Sequence, residues 1–410
     1  MLNSLLEQST NFIDFAVDRI SMVDLNWIGK IIQWLIEGIG IIGVGIIVFT
    51  LILKTITLPL DIYSRIKMKK QSLIMKEMRP QMEKLQKQYA NDKNMYSQKV
   101  MELQKQNGIS VFGACLPMIV TLVIFMVVFG AFSTYSQYAN LDTYNDLVNS
   151  YNVSVQSFVY DEESNKDGFL IKDTDISTGE TAYKVDFDAF LKAVPGTDFS
   201  GMNEAQKIVV VRNHVRENAR KSAADYYRAH RSNFLWVKNI WYPDSLLNRE
   251  VPNFTKFRDS VSRATDSVDS SYENSYDEVT YYLRNEGYGD GKLEGEKFNG
   301  YFVFIVLAIG LMFLQQFISM RSQKDANELS TVDGSGARTN KWMLIMMPII
   351  YGIFSFFYSA AFSIYMITST LYGLITTVII NKAMDVSFAK KIANGTFNAK
   401  RGQNNRKRLK

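Results

Sequence analysis

The sequence predicts an all-α polytopic membrane protein: five transmembrane helices, a cytoplasmic helical hairpin and a small α+β extracytoplasmic insertion. Three observations predict it. Apolar residues in the 410-residue chain gather into four long blocks, uncharged except for Lys54. The last block runs from Lys341 to Lys382 without a charge, about twice the ~20 residues that a helix needs to cross the hydrocarbon core. The polar segments between blocks alternate in sign: 61–112 is net +6 and the tail from 382 is net +8, whereas 134–298 is net −8.

The elements follow in order. Residues 1–37 read as external amphipathic helices lying in the membrane interface. Ile28, Ile31, Ile32 and Leu35 repeat at helical spacing, and Trp27 and Trp34 suit the headgroup zone. Leu5, Leu6, Phe12, Ile13, Ala16 and Ile20 form a weaker set upstream. The first span is 38–60. Residues 61–112 are rich in Lys, Gln, Met and Glu. Met68, Met75 and Met82 recur every seven residues, with Met78, Leu85 and Tyr89 between them, which is a short heptad seam. Ala90-Asn91-Asp92 breaks this helix, and Tyr96, Val100 and Leu103 line a second, so an antiparallel hairpin is expected. Pro80 is expected to bend or restart its first helix, since it lacks an N–H and clashes with the preceding turn. Flexible thioethers suit surfaces that take varied apolar partners, which makes Met68, Met75, Met78 and Met82 candidate client contacts, with hairpin core as the alternative.

The second span is 113–133 and the insertion is 134–298. Within the insertion, Gly168–Ile171 and Ala182–Phe187 read as a β-hairpin turning at Ser177-Thr178-Gly179. Residues 203–230 read as a helix with Ile208, Val211 and Val215 on one face. The serine- and acid-rich stretch 259–278 reads as solvated or partly disordered. The third span is 299–320, the cytoplasmic loop 321–341, the fourth span 342–358, the fifth 359–381 and the basic tail 382–410. A tight turn near Tyr358-Ser359-Ala360 joins the last two spans. Lys and Arg concentrate on the cytoplasmic side of multi-pass proteins, which puts the N-terminus and the insertion outside and the C-terminus in the cytoplasm of a plasma-membrane protein.

The chemistry is sparse. Cys115 is the single cysteine, so no intrachain disulfide is available, and His214 and His230 have no ligand pattern around them. No cofactor, metal or enzyme nucleophile is expected. Lys54 stands out, because a charge inside a span costs on the order of 2.5–3.5 kcal/mol and usually faces a polar pathway. Its position alone equally fits snorkelling to the headgroups, a transporter or channel, or an assembly factor. Paired broken helices of the transporter kind are not seen in the sequence. The tail residues Lys400, Arg401, Arg406, Lys407, Arg408 and Lys410 are candidate contacts for ribosomal RNA or for anionic lipids.

Several segments, in order, resemble the YidC/Oxa/Alb family of membrane protein insertases: Phe49–Leu60, Met78–Tyr89, Gly113–Pro117, Phe234-Leu235-Trp236-Val237 with Pro243-Asp244, Met312–Gln316, Met346–Ile349, and Tyr365 with Ser369. The resemblance implies a monomeric bundle of five spans around a hydrophilic groove, open to the cytoplasm and lipid and closed outside, that passes nascent membrane proteins into the bilayer. It implies that Lys54 is the groove charge, where the family usually has arginine; Thr57, Gln315, Tyr365 and Ser369 are candidate polar lining, with ordinary interhelical hydrogen bonding as the alternative. Phe234–Val237 would belong to a short external helix. Ribosome and Sec translocon would be partners. The long insertion between the second and third spans is a departure.

Overall fold

The computed structural model describes residues 15, 17–22, 24–107, 111–162, 167–174, 181–262, 268–284, 298–322 and 335–394. The basic tail residues Lys400, Arg401, Arg406, Lys407, Arg408 and Lys410 lie outside them, as do the turn at Ser177-Thr178-Gly179 and the upstream set Leu5, Leu6, Phe12, Ile13 and Ala16. The chain divides into two units. One comprises residues 1–25, 134–233 and 247–299, and the other 26–133, 234–246 and 300–410.

The second unit is a helical assembly. Helix α1 (Trp27–Ile39) starts where the Asn26 side chain accepts from the Gly29 N–H and stops at Gly40, whose φ of 74° suits a residue without a Cβ. It buries Ile28, Ile32, Leu35 and Ile36 and packs on α2 (Ile42–Gln88), with Gly45 against Ile36. Ile31, one of the helically spaced apolar set, is exposed with Trp27 and Trp34 on the other side of α1. Helix α2 has 47 residues, a length of about 70 Å. It carries the first apolar run and continues without a break through Pro59 and Pro80. At Gln88 it ends, and α3 (Lys93–Gln106), capped by Asp92 on the Met95 N–H, packs back against it. Ile74, Met78 and Met82 form the buried core of this hairpin, with Met75, Val100 and Leu103 against it.

Helix α4 (Val111–Gln156) covers the second predicted span and continues into the other unit. Three more long helices, α10 (Val303–Ser322), α11 (Ser335–Phe357) and α12 (Ala360–Ala393), complete the assembly. α10 packs on α11 and α12, and α12 packs on α2. Among the described residues, α2, α10 and α12 are long and apolar enough to cross a membrane, and Pro348–Phe357 of α11 forms a shorter apolar stretch.

The first unit is built on the later part of α4. Strands β1 (Leu170–Thr174) and β2 (Thr181–Val185) pair antiparallel in the register Leu170 to Val185, so the expected β-hairpin is present. Helix α5 (Phe187–Ala193) follows. Helix α6 (Glu204–His230), with a capping box at Asn203 and Gln206, buries Ile208, Val211 and Val215 as expected, and Ala219, Ala223 and Tyr227 as well. Helix α7 (Phe254–Val261), a 3₁₀ turn at Ser270–Tyr272, α8 (Glu273–Val279) and α9 (Tyr281–Arg284) close the unit. Here the expectation of a solvated 259–278 is corrected. Val261, Val268, Tyr276 and Val279 sit in the core, hidden in the sequence by the serines and acids around them. The Tyr276 ring lies 4.6 Å from that of Phe257. Glu278 accepts both Arg220 Nε and Nη2, at 3.0 and 2.6 Å, and the Tyr151 hydroxyl at 2.9 Å, tying α8 to α6 and α4. Phe15, Val17 and Ile20 also pack into this core, and the Ile20 N–H and carbonyl are both held by the Asn145 amide. Residues 17–22, where a surface helix was expected, are non-helical.

Candidate functional site

The site begins with the face of α2 that carries Ile46, Thr50, Lys54, Thr57 and Asp61, spaced by three or four residues and therefore aligned. Exposure rises along it. Ile46 and Thr50 are fully buried, whereas Lys54, Thr57 and Asp61 are half-buried. Ile52 and Ile56, on the other side of the helix, are 47% and 70% exposed, so the helix turns an apolar side outward and its only charge before Asp61 inward. Lys54 makes no ion pair among the described residues; the carboxylate whose charge acts on it is Asp61, two turns on. The Thr57 hydroxyl donates to the Lys54 carbonyl at 3.2 Å, and that of Thr50 to the Ile46 carbonyl at 2.7 Å.

Helix α12 repeats the gradient. Residues 360–366 are all buried, and Ser369 is half-buried. Tyr365, Ser369, Tyr372 and Gly373 share a face. The Thr55 Oγ1 and Tyr372 hydroxyls lie 3.5 Å apart, joining α2 to α12 one residue after Lys54. Gln315 of α10 lies over Gly373, where a Cβ would stand 2.8 Å from its Nε2. The Tyr365 ring packs against two others, with centroids 5.4 Å from Phe132 and 5.9 Å from Phe362.

Those rings belong to a larger aromatic layer. Phe49 meets Phe132 edge-on at 5.7 Å, and Phe129 meets Tyr358, Phe362 and Phe354 edge-on at 4.5, 5.1 and 5.5 Å. Five pieces of chain contribute: α2, α4, α11, α12 and the turn between the last two. Edge-on pairs at 4.5–7 Å are favourable beyond their buried area.

Beyond this layer lies segment 234–246. The expected short external helix is not there. Phe234 and Val237 form a bridge around a turn in which Leu235 has φ 54°, and Asn239 and Asp244 spend their oxygens on other chain segments or on turns. Val237, Ile240, Trp241, Asp244 and Ser245 are all at most 4% exposed. Phe234 presses on Gly43 of α2, where a Cβ would stand 2.2 Å from the ring. The Ile240 and Tyr242 carbonyls accept from the Ala361 and Ala360 N–H groups, both at 2.9 Å, at the start of α12, where Ser359 supplies no side-chain cap. Asp244 does the same for α10: Oδ1 accepts from Tyr301 N–H and Oδ2 from Phe304 N–H, both at 2.7 Å. Trp236 Nε1 donates to Oδ2 at 3.2 Å. A carboxylate at a helix N-terminus satisfies orphan N–H groups and suits the positive end of the helix dipole. Sequence reasoning missed this role. Pro243-Asp244 was visible, but its partners stand some sixty residues later.

A family model described as "60Kd inner membrane protein" matches residues 34–172 and 214–388, well over half of the chain. The chain belongs to the YidC/Oxa/Alb family. The unmatched stretch between the two matched parts, 173–213, falls in the insertion. Proteins named membrane protein insertase YidC are similar over shorter stretches: 39% identity over 92 residues in Fusobacterium nucleatum, 34% over 113 in Caldanaerobacter subterraneus and 37% over 91 in Clostridium tetani. These cover 22%, 28% and 22% of this chain and 43%, 53% and 40% of the relatives, so the match spans about half of their length.

The methionines of the hairpin divide. Met78 and Met82 are buried between α2 and α3, while Met68 and Met75 are half-buried on α2. Near its base, Lys69 pairs with Asp385 of α12 at 2.6 Å.

Proposed function

We propose that this chain is a membrane protein insertase, which moves short outer segments of nascent membrane proteins through a hydrophilic groove and releases their apolar spans into lipid. The observation that carries the reading is Lys54, without an ion pair among the described residues, on the inward face of an apolar helix, below an end packed with aromatic rings. In this reading five spans enclose the groove, the N-terminus and the insertion lie outside, and the C-terminus is cytoplasmic. α1 lies in the outer interface. The aromatic layer and segment 234–246 shut the outer end, and the groove opens toward Thr57, Gln315 and Ser369.

No covalent step is needed. Moving a carboxylate to the bilayer centre costs about 2.5–3.5 kcal/mol, while each large apolar residue of the following span favours insertion by about 0.3–0.6 kcal/mol. A span of ~20 such residues therefore outweighs one or two acids but not many. The barrier is the transit itself, and a cation about 4 Å from the client carboxylate lowers it by about 4 kcal/mol at an effective dielectric of 20. Met68 and Met75 offer soft contacts to clients at the entrance, and the basic tail meets ribosome or anionic lipid. The protein works as a monomer, alone or beside the Sec translocon.

The test is insertion of a single-span protein with a short acidic outer segment into liposomes, read by protease protection. Insertion by the parent, at least tenfold loss in Lys54→Ala and retention in Lys54→Arg are expected. Equal insertion by all three would remove Lys54 from the mechanism, and none by a folded parent would remove autonomous insertion.

A further inference from the structure

We propose that Asp244 is the latch that holds the outer end of the helical assembly shut. This deepens the insertase reading and rests on it for the sense of "outer". Residues 240–244 bridge two helix starts: their backbone carbonyls hold the first N–H groups of α12, and the Asp244 carboxylate holds Tyr301 and Phe304 at the start of α10. The side chain is fully buried, and Trp236 supplies a third donor. Gly300 is what lets the carboxylate approach, since a Cβ there would stand 2.0 Å from Oδ1. A buried carboxylate tolerates its site only while its donors are in place. A latch differs from a helix cap in its consequence: losing the carboxylate frees the start of α10 and also the 240–242 contacts to the start of α12.

One turn into α12, beneath the bridge, Ser363 is fully buried and its hydroxyl has no hydrogen-bond partner among the described residues. It reports opening. In a Cys115→Ser background, Ser363→Cys is exposed to a membrane-impermeant maleimide in right-side-out vesicles. Ala219→Cys, buried in the other unit, is the control. With Asp244 present, Cys at 363 is expected to label slowly. Asp244→Ala is expected to raise its rate at least tenfold. Asp244→Asn should raise it less, because the amide oxygen keeps one N–H while the amide nitrogen meets another donor. Trp236→Phe, which removes a single donor, should raise it least, and keeps the test alive if Asp244→Ala does not fold. The control rate should not move in any of them. An unchanged rate at 363, or an equal rise at 219, overturns the latch. No client is present, so failure here is separate from failure of insertion in liposomes.

Discussion

A lysine in an apolar helix is tolerated when something polar meets it, and Lys54 sits where burial gives way to partial exposure along α2. Single residues also set how closely the chain can pack above it. Gly43 admits the Phe234 ring, whereas Gly310 of α10 has open space where a Cβ would be. Gly43→Val is therefore expected to destabilise by about 1–3 kcal/mol through overpacking. Gly310→Ala is expected to be neutral or to stabilise by up to about 1 kcal/mol, since alanine is the better helix former. Thermal unfolding in detergent compares them. Equal midpoints for the two variants would show that Phe234 moves aside without cost.

At the scale of elements, the hairpin is a small two-helix core. Met82 is fully buried and Met101 is 56% exposed. Met82→Ala should cost about 2–5 kcal/mol of hairpin stability, as large-to-small core substitutions do, and Met101→Ala next to nothing. Hydrogen exchange across α3 reads this directly. Protection lost equally in both variants would mean that the heptad seam does not hold the hairpin. The same burial separates the methionines: Met68 and Met75 keep part of their surface exposed, and Met78 and Met82 do not.

For the molecule as a whole, the insertion brings its own response to pH. His214 lies among the rings of Phe158, Phe169 and Phe190, at 6.0, 6.5 and 5.5 Å. Burial pushes its pKa below the ordinary 6.5, and Glu217 opposes that in part. Below about 6.5 the unfolded chain binds a proton at this imidazole that the folded protein resists binding. The unit should thus keep full stability above 6.5 and lose it as pH falls from there through the folded pKa. His214→Gln should flatten that slope, measured by hydrogen exchange of α6 between pH 7.5 and 5.5. A slope that survives in the variant would locate the acid response elsewhere.

Membrane class and the long apolar helices α2, α10 and α12 were legible from the residues alone, because hydropathy acts locally and the bilayer is a uniform solvent. So were the β-hairpin and α6, whose apolar spacing matches their periods. What the tertiary structure alone decided depends on groups far apart in the chain. Asp244 caps a helix sixty residues on, Phe49 meets Phe132, Tyr276 hides in an acidic stretch, and an expected helix at 234–237 is a bridged turn instead. Local pattern is blind to such partners, since a buried polar group or a ring is stabilised by whatever the fold places beside it.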